Sequence, residues 1–340
     1  MLAPIAPAQV LALRGERRLV VGAEVGRGSL GTVYAARIEQ TLHAEAGRAE
    51  TMAIPAAVKV IDPAFGRDPE TMQVLRRAMR RGALVRHPNV VEVNDFFTAG
   101  DSPCVVMELV QGLSLASLLA RYASARRRVP LDLGLFLACE IAEGLCAARG
   151  ARSVDGAMLN MAHHGLGPRQ VLLGYAGEVK VSDFGMRPGG GVTSGIRRAD
   201  ADVRRQIAHM APEVACGAYG DGRSDVFSLG VMMHEMLRGP RFMPNVDARD
   251  ALDFARHGVV QRSVTEPMLP SGIGAVVDRA LEIDPRARYP HAGVLAYDLR
   301  REALSLGVGD GRAFLRTALF EMSEGIADAH DTERGSAPDL

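Results

Sequence analysis

The first residues able to do chemistry are Gly26-Arg27-Gly28-Ser29-Leu30-Gly31-Thr32-Val33, set between two strand-like runs. Glycines let a backbone come close to phosphate oxygens, so that amides rather than side chains make the contacts. Because LVVGAEV precedes the turn and a strand follows it, the loop covers a ligand as strand, turn and strand. A Rossmann loop would open a helix instead. Gly-rich turns are common, and the loop alone decides little. The next strand, Ala56-Ala57-Val58-Lys59-Val60-Ile61, sets one lysine in an apolar run. A lysine pointing out of an edge strand is the ordinary explanation. So soon after the glycine hairpin, Lys59 is better explained as a charge aimed at phosphates.

Later segments fall into an order that these two begin. They are Val105-Val106-Met107-Glu108-Leu109-Val110, Val179-Lys180-Val181-Ser182-Asp183-Phe184-Gly185, Met210-Ala211-Pro212-Glu213, Ser224-Asp225-Val226-Phe227-Ser228-Leu229-Gly230 and Asp284-Pro285-Arg286-Ala287-Arg288-Tyr289. With the Gly-rich loop and AAVK, the chain resembles the protein-kinase family from about Leu19 to Leu304. HPNVV at His87 to Val91 and GEVKVSDFG resemble bacterial Ser/Thr kinases in particular. The resemblance implies an α+β, bilobal kinase fold with a small β-rich N-lobe and a larger, mainly α C-lobe. It implies ATP and Mg2+ as cofactors, with Gly26, Gly28, Ser29, Gly31, Val33, Ala57, Lys59, Met107, Glu108 and Val110 binding the nucleotide. Met107 takes the gatekeeper position, Asp183 that of the magnesium ligand, and Glu213 with Arg288 that of a buried structural ion pair.

The aligned catalytic loop departs from the family pattern. It reads Met161-Ala162-His163-His164-Gly165-Leu166-Gly167-Pro168-Arg169-Gln170-Val171-Leu172-Leu173, which sets Gly165 where H-R-D-x-x-x-x-N has its catalytic aspartate. Glycine can neither orient a hydroxyl nor take its proton, so no catalytic residue is intact. His163 falls at the family's structural histidine, a role favoured over catalysis. His164 replaces the arginine that reads activation-loop phosphorylation. Gln170 stands in the asparagine position, where one extra methylene shifts the amide oxygen by more than a metal site readily tolerates. Ala78 occupies the place of the helix glutamate that pairs with the lysine, and Arg204-Arg205-Gln206 replaces a small Gly-Thr pair in the substrate loop.

The elements that must position these residues follow from periodicity. Five β-rich runs from about Arg18 to Val110, with one helical segment between Ala64 and Val85, make the small lobe. After Gly112 the apolar spacing becomes helical, as in Leu131 to Ala148. The expected divisions are a flexible lead-in over 1–17, an N-lobe over 18–111, a C-lobe over 112–304 and a C-terminal extension over 305–340. That extension is read as a polar, disordered tail from about Ser323. Glu39 to Pro55 and Arg187 to Arg204 read as loops or insertions.

Composition excludes several classes. The 340 residues carry 40 basic and 40 acidic side chains. No global field therefore draws the chain to nucleic acid or an anionic membrane. No apolar stretch is long enough to span a bilayer, and no secretory signal is read, so a cytoplasmic location is expected. The four cysteines lack metal or disulfide spacing and read as small core residues in a reducing compartment. The reading that results is a pseudokinase that binds ATP and regulates or scaffolds a protein partner, such as an active kinase, in bacterial signalling. The alternative is a divergent Ser/Thr protein kinase with residual phosphoryl transfer.

Overall fold

The computed structural model describes residues 10–13, 17–28, 30–43, 49–186, 204, 207–239, 247–258 and 269–334. Ser29, Arg205, Gln206 and most of the Arg187 to Arg204 loop lie outside them. The fold is α+β, with an antiparallel sheet in the first lobe and helices in the second. Strands β1 (Val10–Ala12), β2 (Arg17–Gly28), β3 (Gly31–His43), β4 (Ala49–Ile61), β5 (Val93–Ala99) and β6 (Ser102–Glu108) form one sheet in the order β1-β2-β3-β4-β6-β5. Alternation along β4 sends Ala57 and Ile61 to one face and Ala56 and Val58 to the other, each into its own apolar cluster. Lys59 shares the face of Ala57 and Ile61, the one turned toward the cleft.

Three features of the first lobe differ from the sequence expectation. The lead-in is not wholly flexible, because Val10, Leu11 and Ala12 pair with Val20, Leu19 and Arg18 while Leu13 is buried beneath them. Within the Glu39 to Pro55 stretch, residues 39–43 and 49–55 are strand rather than loop. They prolong β3 and β4 into a hairpin whose register runs unbroken from Gly31↔Ile61 to His43↔Ala49. Extending a ladder that already exists adds paired hydrogen bonds with no new long loop to close, and β-branched pairs such as Ile38↔Ile54 and Thr41↔Thr51 suit it. The helical segment is two helices, α1 (Pro63–Gly66) and α2 (Pro69–Gly82). Asp68 restarts the helix by accepting the Thr71 N–H at 3.1 Å, with Pro69 in the first helical turn. α2 then buries Met72, Leu75, Ala78 and Met79 against the sheet.

After the hinge segment that follows β6, Leu109 to Gln111, strands β7 (Gly112–Ser114), β8 (Val171–Gly174) and β9 (Val179–Val181) form a small sheet on the floor of the cleft. The helices are α3 (Leu115–Ser124), α4 (Leu131–Gly150), α5 (Pro212–Ala215), α6 (Gly222–Arg238), α7 (Ala248–His257), α8 (Ser271–Ala280), α9 (Ala292–Ser305) and α10 (Gly311–Arg334). α4 and α6 supply the centre of the core, which also takes Ile273, Val277, Leu295 and Leu299. Where a disordered tail is expected from Ser323, the helix continues to Arg334. Its first half docks because Leu315, Ala318 and Leu319, at helical spacing, are buried in the main core. None of the helices among the described residues is long and apolar enough to cross a membrane.

Candidate nucleotide site

The glycine turn closes with Gly28 opposite Gly31. At Gly31 a side chain is sterically barred, since a Cβ would lie 2.0 Å from the Val60 carbonyl oxygen. Gly26 and Gly28 meet no such limit: among the described residues nothing lies within 4 Å of a Cβ placed there. The turn therefore stands open on the side where a phosphate would approach. Across the cleft, Arg169 Nη1 donates to the Arg27 carbonyl oxygen at 3.4 Å, a contact the sequence does not reveal.

Beneath the turn, Val33, Leu109, Val110 and Leu172 are half-buried around a cluster containing Ala57 and Met107, which face each other across β4 and β6. These side chains make an apolar patch between the glycine turn and β8. Val110 follows β6 outside any strand, and its N–H has no intrachain acceptor among the described residues. The Glu108 carboxylate does not join the patch. It accepts Lys180 Nζ at 2.9 Å and the Glu92 N–H at 2.8 Å, and so ties the end of β6 to β9 and to the lead of β5.

Lys59 Nζ donates to Asp183 Oδ2 at 2.7 Å, with the lysine almost wholly buried. Asp183 has φ of 67° and Gly185 of 65°. A Cβ on Gly185 would lie 3.5 Å from that of Ala78, so α2 presents a methyl group to this turn and offers the lysine no carboxylate. Phe184 is buried against the His163 ring, centroids 4.9 Å apart. His163 is held from both sides: Nε2 lies 2.8 Å from the Ser182 carbonyl oxygen, and its backbone N–H donates to Asp225 Oδ2 at 2.7 Å. His164 N–H donates to the other oxygen, Oδ1, at 3.2 Å. Burial pushes the Asp225 carboxyl up to about 7, against the pull of those two donors. Burial also lowers the His164 pKa, and the Arg81 charge adds to it.

Gly165 follows at φ 154°, in the part of backbone space that favours glycine. The Gln170 amide oxygen would lie 3.4 Å from a Cβ on Gly167. It is thus turned toward the loop's own backbone. The Gln170 carbonyl accepts the Ser182 N–H at 2.8 Å. Among the described residues no group of three His, Cys, Asp or Glu side chains could hold a metal ion. Magnesium ordinarily takes one or two carboxylates plus nucleotide phosphates, and Asp183 fits that pattern for one ion. Farther back, Arg288 clasps Glu213 with two 2.8 Å contacts while Ser224 Oγ donates to the same carboxylate at 2.6 Å. Burial raises the Glu213 pKa, yet these hydrogen bonds outweigh it and hold the group below its ordinary value.

Comparison with known proteins agrees with this arrangement. Residues 19–296 match the family described as protein tyrosine and serine/threonine kinase. The tyrosine-protein kinase MasK of Myxococcus xanthus is 29% identical over 240 residues, 70% of this chain and 37% of its own. Serine/threonine-protein kinase PknB of Mycobacterium tuberculosis is 28% identical over 289 residues, 84% of this chain and 42% of its own. This chain thus spans about two fifths of the length of those relatives. The PknI kinase domain of Mycobacterium tuberculosis superposes with a TM-score of 0.60 at 20% identity, covering 88% of this chain and 100% of that one. The chain belongs to the protein tyrosine and serine/threonine kinase family, and its relatives include bacterial Ser/Thr kinases.

Proposed function

We propose that this chain is a pseudokinase: a kinase domain that binds ATP, has lost protein phosphorylation, and regulates or scaffolds another signalling protein by contact. Gly165 carries the reading. A protein kinase uses an aspartate to accept the substrate hydroxyl's proton, and here that place holds glycine. The surroundings, His163, Phe184, Asp183 and Asp225, are nevertheless assembled. Charge neutralisation and positioning supply much of the rate in phosphoryl transfer, so one loss need not abolish it. Ala78 and the turned-away Gln170 make this a compound loss.

The retained residues divide the binding work. Lys59 would neutralise phosphate, Asp183 would hold a magnesium ion shared with phosphate oxygens, and the Val110 N–H would read the adenine edge. The four free cysteines fit a cytoplasmic setting, although Cys216 is exposed rather than in the core.

A ligand that binds only the folded state raises its melting temperature. Titrating ATP with and without magnesium should raise that of the wild type in a magnesium-dependent way, with the rise lost in both Lys59→Met and Asp183→Asn. Labelled ATP should transfer no phosphate to a generic protein substrate. Robust transfer that disappears in Lys59→Met would instead establish the second reading, a divergent Ser/Thr kinase. That reading draws its support from the intact pairing of Lys59 with Asp183.

A further inference from the structure

α2 carries Arg76, Arg77, Arg80 and Arg81 within six residues. At 100° per residue, the first three share an arc of about 100° that faces away from the buried Leu75 and Ala78 and borders Met72 and Met79, and all three are exposed. Two spacings, Arg76 to Arg80 and Arg77 to Arg81, set like charges four residues apart, which weakens a helix by a few tenths of a kcal/mol per pair. Nearby arginines find acids: Arg67 pairs with Asp101, and Arg86 with Glu92. Arg81 is tied to the Leu159 carbonyl. Among the described residues no ion pair uses Arg76, Arg77 or Arg80. Helix-dipole compensation explains arginines in the last turn. It does not explain Arg76 and Arg77, which lie earlier.

We infer that this face of α2 docks a carboxylate-rich segment of a partner protein. Arginine forks match carboxylates in paired geometry, and three of them separated by about 6 Å of helix rise fit one turn's worth of acidic side chains. A nucleic acid or an anionic membrane calls for a longer basic stripe, and the chain as a whole has no net charge to provide one. The docking face backs onto the site, since Ala78 on the other side of the same helix meets Gly185. The inference rests on the regulatory reading above, but ATP binding does not use these arginines, so either can fail alone.

The test is fluorescence anisotropy of a labelled hexaglutamate peptide against the full chain at 50 and 200 mM NaCl. The wild type should bind, more weakly at the higher salt. Arg76→Glu/Arg77→Glu/Arg80→Glu should weaken binding at least tenfold and bind a hexalysine peptide instead. Changing the same three residues to Gln, which keeps the helix while removing charge, should also lose the acidic peptide, whereas the surface control Arg286→Glu should not. Equal binding by the wild type and both triple variants would overturn the inference. So would failure of the wild type to bind, or binding only to phosphatidylserine vesicles or to a 20-residue oligouridine.

Discussion

Asp225 accepts two backbone N–H groups from the loop that holds His163, His164 and Gly165, and burial raises its pKa to about 7. A carboxyl raised in the folded state contributes stability that is full below its ordinary 3.8 and is lost as pH rises through about 7. Between pH 5 and pH 8 the wild type should therefore lose stability relative to Asp225→Asn, measured by urea denaturation. A constant difference would mean that the acid is already ionised at pH 5. Gly165 lends itself to a different test. Its φ of 154° makes an aspartate there strained by roughly 1–3 kcal/mol. Gly165→Asp should melt several degrees lower and gain no autophosphorylation, and a gain without loss of stability would show that the loop still fits the acid. Arg288 is the third residue with a clear expectation. Removing it leaves the Glu213 carboxylate without its cation and with only the Ser224 hydroxyl, so Arg288→Leu should cost roughly 3–5 kcal/mol in chemical unfolding.

Among the elements, α10 and the β3–β4 hairpin should respond to very different degrees. Leu315 is fully buried in the main core, so Leu315→Ala should cost roughly 2–5 kcal/mol. Replacing residues 42–50 with a short Gly-containing turn should shift the melting temperature by only a few degrees, because the core pairs of the hairpin lie nearer the sheet. Much of this layer could be read in the chain. Alternation in AAVKVI places Lys59 on the face of Ala57 and Ile61, and Asp68-Pro69 holds the signal for a new helix start that a single apolar period blurs. The outer strand pairs of the hairpin and the outer half of α10 escape such reading because polar and small residues dominate them, leaving no apolar period to follow. Glu108 was legible as part of the hinge strand. That its carboxylate turns toward Lys180 was not, since nothing local encodes the partner.

For the whole molecule, the order of motifs was enough to foresee two lobes, but not the side-chain contact that joins them. Lys59 and Asp183 lie 124 positions apart, and their contact belongs to the assembled fold alone. One is on the roof sheet and the other follows the floor sheet, so their 2.7 Å bond acts as a clasp between roof and floor. Each charge is neutralised by the other, so burying the pair leaves little net charge between the two sheets. A phosphate that drew Lys59 to itself would compete with this clasp. The work of loosening the clasp would then lower the apparent affinity for such a ligand.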